Sequence, residues 1–121
     1  MKNGKIYCLC LHNRVLSVVK KLGYEPVGVG NDNFSKDWLR DNTLINISFK
    51  NKYYGEHTFY YWFWKNILPN IEDNYWIGFC GYRELWGNKE KITNESNAED
   101  VVITKIPKEW EKFDTIIGEH L

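Results

Sequence analysis

Three polar side chains follow a short apolar segment near the middle of this chain. Residues 75–80 read YWIGFC, which is typical of a buried strand, and Tyr82, Arg83 and Glu84 come after it, separated by one glycine. In open α/β sheets, ligands bind outside the carboxyl ends of the strands. A guanidinium there suits a bidentate contact with a diphosphate, which makes Arg83 the principal candidate for ligand binding. The alternatives are a salt bridge between Arg83 and a carboxylate such as Glu84, and a structural role for either Tyr82 or Arg83, since strand alternation places the two on opposite faces.

Two more side chains are candidates for the same site. His12 follows the apolar residues 5–11, so it leaves the first predicted strand at its carboxyl end. It either contacts a ligand there or helps to cap the next helix as a surface residue. Glu56 lies on an otherwise aromatic stripe of a long helix predicted for residues 53–71. It either complements the helix dipole or, if buried, needs a cationic partner, for which Arg83 is the obvious candidate.

The elements that position these side chains follow from the hydrophobic pattern. Residues 13–22 predict a helix with Asn13 as its N-cap and Gly23 as its stop. The loops around this helix fit a parallel crossover between two strands. We therefore predict an α/β domain with a mainly parallel sheet and flanking helices. The predicted strands of this sheet are residues 5–11, 24–29 and 75–80.

The other segments carry weaker patterns. Residues 31–48 are polar, with one helical turn predicted around Trp38 and Leu39, and residues 86–100 predict a second polar loop. Gly28 and Gly30 do not form a dinucleotide fingerprint, because they follow the second strand instead of the first. Three elements are predicted beyond residue 100: a short strand at 101–104, a helix at 107–112 and a buried strand at 113–118. Since the sequence stops just after that strand, we expect it to be the N-terminal part of a longer protein.

Composition narrows the class of function. At 121 residues we expect a single domain over residues 1–121, and 16 basic against 16 acidic residues argue against a nucleic-acid binder. Neither a signal peptide nor a transmembrane segment is predicted. The odd number of cysteines, without zinc spacing, indicates reduced thiols, a cytoplasmic protein and no metal site. The three histidines lie beside no nucleophile motif such as G-x-S-x-G, so the sequence identifies no catalytic residue.

A set of spaced motifs resembles one family. The segment 41–51 reads DNTLINISFKN, residues 56–66 read EHTFYYWFWKN, and residues 77–83 read IGFCGYR. These segments look like the glycosyltransferases of bacterial polysaccharide biosynthesis, a family long catalogued only as a domain of unknown function. Its pattern runs as DN-x-x-x-NIS-x-KN, then E-x-T-x-x-YW-x-WKN, then a strand ending in HYRRYF. The opening strand with His12 and residues 113–117 also fit, so the resemblance covers most of the chain.

The resemblance implies a GT-A-like (Rossmann-like) nucleotide-binding half, a nucleotide-sugar donor and a glycan acceptor. Family members are about twice this length, so it also implies a truncated or unusually short form. We expect His12 near the nucleoside, Arg83 on the diphosphate and Glu56 orienting Arg83, while Trp62 or Trp64 either stacks on a sugar or packs in the core.

Two departures from the family pattern alter the predicted donor site. Gly81 replaces the motif His and Glu84 replaces the second motif Arg, which removes a titratable group and a cation and adds a carboxylate. Glu84 leaves open a divalent metal cofactor, either Mn²⁺ or Mg²⁺. The departures also leave open a second function, a non-catalytic module that binds a glycan or nucleotide. A third function left open is a structural or interaction protein whose aromatic helix forms a dimer seam, and the sequence does not determine the oligomeric state.

Overall fold

The sheet contains four strands, all parallel. The computed structural model describes residues 4–87 and 101–118. Within these ranges the strands are β1 (Gly4–Cys10), β2 (Glu25–Gly28), β3 (Leu39–Arg40) and β4 (Trp76–Gly81), in the order β3-β2-β1-β4. β1 pairs with β2 on one side and with β4 on the other, with Tyr7 opposite both Glu25 and Phe79. The predicted α/β fold with a parallel sheet is confirmed.

The crossover from β1 to β2 is a short helical segment. A 3-10 turn (Asn13–Val15) leads into α1 (Leu16–Lys21), and Gly23 ends the helix at a φ of 77°. The prediction that Asn13 caps this helix is wrong, because His12 occupies the cap position and makes no side-chain capping bond. The Asn13 backbone N–H instead donates to Asp32 Oδ2 at 3.2 Å, which ties this turn to the loop after β2.

The long helix predicted for residues 53–71 is broken. It consists of α2 (Asn51–Tyr54), α3 (His57–Asn66) and a 3-10 turn (Leu68–Asn70). The break between α2 and α3 lies at Gly55, whose φ of 55° and ψ of −130° are outside the helical region and favour glycine. The aromatic pattern continues across this glycine, which is why the periodicity alone predicts one helix.

Two further predictions are wrong. A predicted helical turn is an extended strand, and a predicted strand is irregular. The helical turn predicted around Trp38 and Leu39 is wrong, since Leu39–Arg40 forms β3 and pairs with β2. The strand predicted for residues 113–118 is wrong, because this segment is not in the sheet and Ile117 is 88% exposed.

The other elements predicted beyond residue 85 have mixed outcomes. The strand predicted for 101–104 is reduced to one bridge between Gly87 and Val102, and a 3-10 turn (Lys108–Trp110) lies within the helix predicted for 107–112. Most of the predicted loop at 86–100 lies outside the described residues.

The core has one cluster on each face of the sheet, and β1 contributes to both. Ile6, Cys8 and Cys10 are buried against Val19 and Leu22 of the α1 region. On the other face, Tyr7 and Leu9 pack against α3 through a second set of buried residues, Phe59, Trp62 and Phe63. This double burial explains why residues 5–11 form an uninterrupted apolar run.

Candidate functional site

The carboxyl ends of β1 and β4 are where an open α/β sheet of this strand order is expected to form its ligand crevice. The connection from β1 turns toward β2 on one side, while β4 lies on its other side, which makes the β1–β4 junction the topological switch point where such sheets bind ligands. His12 follows β1 and Tyr82 follows β4. Their ring centroids are 5.0 Å apart with the planes at 64°. The structure therefore brings together two of the side chains predicted for the site.

His12 is half-buried, and one of its ring nitrogens lacks a partner. Nδ1 is buried and makes no hydrogen bond to any group in the described part of the chain. A buried polar atom without a partner is uncommon in a folded protein, and a ligand group or an ordered water is the usual explanation. His12 is at the cap position of the next helical turn, but its side chain makes no capping hydrogen bond. The capping alternative therefore does not explain this residue.

Arg83 lies beside this pair. It is exposed, and its Cζ is 5.4 Å from the centroid of the Tyr82 ring. The strand ends at Gly81, and the chain turns at once, with the Glu84 backbone N–H donating to the Gly81 carbonyl at 3.1 Å. Tyr82 packs, partly buried, against the cluster that contains Ile6 and Cys8, whereas Arg83 is exposed, so Tyr82 has the packing expected of a structural residue.

The two predicted carboxylates of the site do not pair with this arginine. Glu56 and Glu84 are both exposed, and within the described ranges neither forms an ion pair with Arg83. Glu56 precedes α3 directly after the break at Gly55, which places it at the surface. Burial, and secondarily the Glu56 carboxylate, raise the pKa of Tyr60. The structure thus brings His12, Tyr82 and Arg83 together, and it does not bring Glu56 to Arg83.

A buried polar network behind this edge had no predicted role. Asp41 follows β3 and is 2% exposed, and its Oδ2 accepts a hydrogen bond from the Thr58 hydroxyl at 2.6 Å. Asn51 Nδ2 donates to the Thr58 oxygen at 3.1 Å and to the Gly55 carbonyl at 2.9 Å. These contacts hold the segment after β3 against the start of α3. The only sequence signal for them is that Asp41, Asn51 and Thr58 all belong to the resemblance motifs.

The tryptophans of the aromatic motif have different roles. Trp62 is 3% exposed, and its Nε1–H donates to the Thr43 carbonyl at 2.9 Å. Asn66 Nδ2 donates to the Ile45 carbonyl at 2.8 Å, one turn further along α3. Trp62 therefore packs in the core and anchors the loop at 43–45, as the core alternative predicted. Trp64 is 54% exposed, so it is the one of the two with a ring accessible to solvent.

Arg40 shapes the loop that follows β2. Its Nε donates to the Gly28 carbonyl at 2.9 Å and its Nη2 to the Gly30 carbonyl at 2.8 Å. The guanidinium also stacks on Phe34, 4.6 Å from the ring centroid. A Cβ at Gly28 would lie 2.7 Å from the Phe34 ring, so the close approach requires glycine. The glycine pair that resembles a dinucleotide motif thus serves packing and loop geometry at this edge.

The three thiols cluster on one face of the sheet. Cys8 lies opposite Cys80 across β1 and β4, and Cys8 and Cys10 are fully buried. All three are free thiols, and hydrogen bonds from Cys10 and Cys80 lower the pKa of Cys8. In residues 4–87 and 101–118 no group of three or more His, Cys, Asp or Glu side chains could hold a metal ion. The thiols are therefore packing groups of the sheet face.

A cleft of about 350 Å³ lies elsewhere, at the amino end of β4. Residues 73–77 and 113–116 line it, including Asp73 and Asp114. None of the five predicted site residues lines this cleft, which belongs to the opposite edge of the sheet.

Fold and site together define an α/β protein with a parallel sheet and a polar and aromatic cluster at its switch point. The chain belongs to the family described as Domain of unknown function (DUF4422), whose model matches residues 5–120. This confirms the resemblance at the level of the domain of unknown function. No curated protein and no solved structure matches the chain. In the described ranges, none of the helices has the length and apolar character needed to cross a bilayer.

Proposed function

We propose that this chain binds a nucleotide-sugar donor in the crevice between β1 and β4 and transfers the sugar to a glycan acceptor. The observation that carries this proposal is the grouping of His12, Tyr82 and Arg83 at the switch point of a parallel sheet. Arg83 has no carboxylate partner among the described residues, so its guanidinium is free to bind an anion. The glycosyltransferase assignment, polysaccharide synthesis and the cytoplasmic location come from the sequence and are part of this proposal.

Each group has a role set by its chemistry. The guanidinium of Arg83 presents two parallel N–H donors, which match the geometry of a diphosphate. His12 is half-buried, and the exposed part of its ring would contact the nucleoside. The partly buried ring of Tyr82 contacts the His12 ring, and Arg83 Cζ lies 5.4 Å from the centroid of the Tyr82 ring.

Catalysis at such a site relies on charge stabilisation. When the bond between the anomeric carbon and the donor phosphate breaks, the departing diphosphate gains negative charge, and a cation held beside it lowers the barrier. Arg83 would supply that cation. The acceptor oxygen forms the new bond to the anomeric carbon, the bond to the donor phosphate breaks, and the hydroxyl proton passes to solvent water.

The described residues do not fit a resident Mn²⁺ or Mg²⁺. Such ions require several oxygen ligands, and Glu84 is a single exposed carboxylate with no cluster of potential ligands around it in the described ranges. We therefore derive no step through a metal.

The alternative function is a non-catalytic module that binds a glycan or a nucleotide. It is favoured by Gly81 and Glu84, which stand where the family pattern has a histidine and a second arginine. The site in this chain keeps one cation, Arg83. One cation is enough to bind an anion, but it stabilises a leaving group less than two cations would.

The test is a thermal-shift panel of UDP-, GDP- and CMP-sugars on the wild-type chain, on Arg83→Ala and on Lys112→Ala. Lys112 is a matched control because its ammonium also lies over a neighbouring ring, 5.1 Å from the Phe113 centroid, but outside the crevice. A donor at about 100 times its dissociation constant should raise the unfolding free energy by about 2.7 kcal/mol. We expect a shift with one nucleotide class that Arg83→Ala abolishes and Lys112→Ala retains.

Two outcomes separate the proposals. A nucleotide-selective shift followed by sugar transfer, or by slow hydrolysis of the donor, supports the transferase, whereas binding without turnover supports the module. A cooperative melt that no nucleotide moves would contradict the transferase and leave a module that binds a glycan.

A further inference from the structure

One surface of the molecule exposes apolar side chains interleaved with lysines. Most of the large hydrophobic side chains that are exposed in the described ranges lie between residues 44 and 68. We call this the basic–aromatic surface. Its members are Leu44, Ile45, Phe49, Lys50, Lys52, Tyr53, Tyr54, Trp64, Lys65 and Leu68.

The elements that carry these side chains are in contact with one another. Lys50 Nζ lies 5.8 Å from the ring centroids of both Phe49 and Tyr54, which joins the turn before α2 to α2 itself. Both of these elements contact α3. The bond from Asn66 to the Ile45 carbonyl holds the loop at 43–45 against the end of α3 that carries Trp64.

The backbone is strained at the tip of this surface. Leu44 has a φ of 50°, a conformation that disfavours side chains with a Cβ, and yet its side chain is 77% exposed. Asn46 Nδ2 donates to the Leu44 carbonyl at 2.9 Å, which keeps this conformation. The fold thus holds a leucine in a disfavoured conformation without burying it.

The charges on this surface have one sign. Lys50, Lys52 and Lys65 form no ion pair with any described carboxylate, and each lies over an aromatic ring, most closely Lys65 at 3.8 Å from the Trp64 centroid. Between residues 42 and 68 the only carboxylate is Glu56. A partner for this surface must therefore accept apolar side chains and supply negative charge.

We propose that the basic–aromatic surface binds the face of an anionic lipid bilayer. The exposed aromatic and aliphatic side chains would lie at the level of the headgroups, where Trp and Tyr are favoured, and the lysines would contact lipid phosphates. A second copy of the chain fits this surface poorly, because the members of the surface include no carboxylate and a two-fold contact would leave its lysines without a negative partner. The inference does not depend on the proposed donor site, which lies at the carboxyl edge of the sheet.

The test is co-sedimentation of the chain with vesicles of phosphatidylcholine, with and without phosphatidylglycerol. We expect sedimentation only with phosphatidylglycerol and release at high salt, because 1 M salt shortens the screening length to about 3 Å. Each lysine near an anionic bilayer raises the partition coefficient about fivefold. The variant Lys52→Ala/Tyr53→Ser should therefore weaken binding by at least that factor.

The matched control is Lys112→Ala/Phe113→Ser. It removes a neighbouring lysine–aromatic pair of similar geometry outside the surface, and Phe113 is 48% exposed. The control should sediment like wild type. Equal loss in both double variants, equal binding to neutral vesicles, or no sedimentation at all would overturn the proposal. A dimer in light scattering would also overturn the proposal if Lys52→Ala/Tyr53→Ser dissociates it and the control does not. That result would favour a protein partner.

Discussion

Replacing Thr58 by valine tests the buried polar network. Valine has nearly the same shape as threonine but lacks the hydroxyl that donates to Asp41 Oδ2 at 2.6 Å. The carboxylate of Asp41 is 2% exposed, so it would lose this donor without gaining water in its place. Hydrogen bonds to charged groups contribute about 1.5–3 kcal/mol, and an unsatisfied buried group adds to the loss. We expect Thr58→Val to lower the unfolding free energy by about 2–4 kcal/mol.

Thr58→Ser is the matched control, because it keeps the hydroxyl and removes only one buried methyl group. Its expected loss is about 1 kcal/mol. Urea denaturation followed by tryptophan fluorescence measures both variants. Thr58→Val should move the midpoint down by about 1–2 M with an unchanged slope.

A double-mutant cycle identifies the partner. In the Asp41→Asn background no buried charge remains, so Thr58→Val should be less destabilising there by more than about 1 kcal/mol. A Thr58→Val variant no less stable than Thr58→Ser would refute the view that this network holds the segment after β3 to α3.

Three further perturbations test other parts of the structure. Trp62→Phe removes the indole donor to the loop carbonyl and should cost about 1–2 kcal/mol in urea denaturation, whereas the exposed Trp64→Phe should change stability little. Burial, with smaller contributions from two neighbouring groups, raises the pKa of Tyr7 to about 12, above its unfolded value of 10.0, so the unfolded state ionises first. The stability from Tyr7 should therefore be complete below pH 10 and fall as the pH rises toward 12, and the slope should flatten in Tyr7→Phe. Gly55→Ala forces a side chain into a backbone conformation that favours glycine and should cost about 1–3 kcal/mol in thermal unfolding. Gly81→Ala, where an added Cβ meets nothing within 4 Å, should be tolerated.

The parallel sheet was predictable because the residues that specify its first two strands are close together in the sequence. An apolar run such as residues 5–11 shows burial on both faces, and the short crossover to β2 restricts the pair to a parallel arrangement. Strand β3 was not predictable on these grounds. It has only two residues, and its extension depends on pairing with β2, which the local sequence does not encode.

The site was predictable where it depends on the ends of strands. His12 and Tyr82 meet because each follows a predicted strand and the carboxyl ends of parallel strands lie on one edge. The pairing of Glu56 with Arg83 was inferred from a continuous helix, and it does not occur. The break at Gly55 turns Glu56 outward, and only the backbone conformation of that glycine decides this.

The sequence by itself determined the class of fold and the membership of a domain-of-unknown-function family, and it predicted that His12 and Tyr82 follow strands that end at one edge of the sheet. These features follow from hydrophobic periodicity, motif spacing and the direction of the strands. Only the tertiary structure decided which polar residues touch. Asp41 and Thr58 are 17 positions apart, and Trp62 bonds a carbonyl 19 positions earlier, so no local pattern relates them. Such contacts form when the packing of α3 on the sheet removes water from both partners, and only then does each polar group require the other.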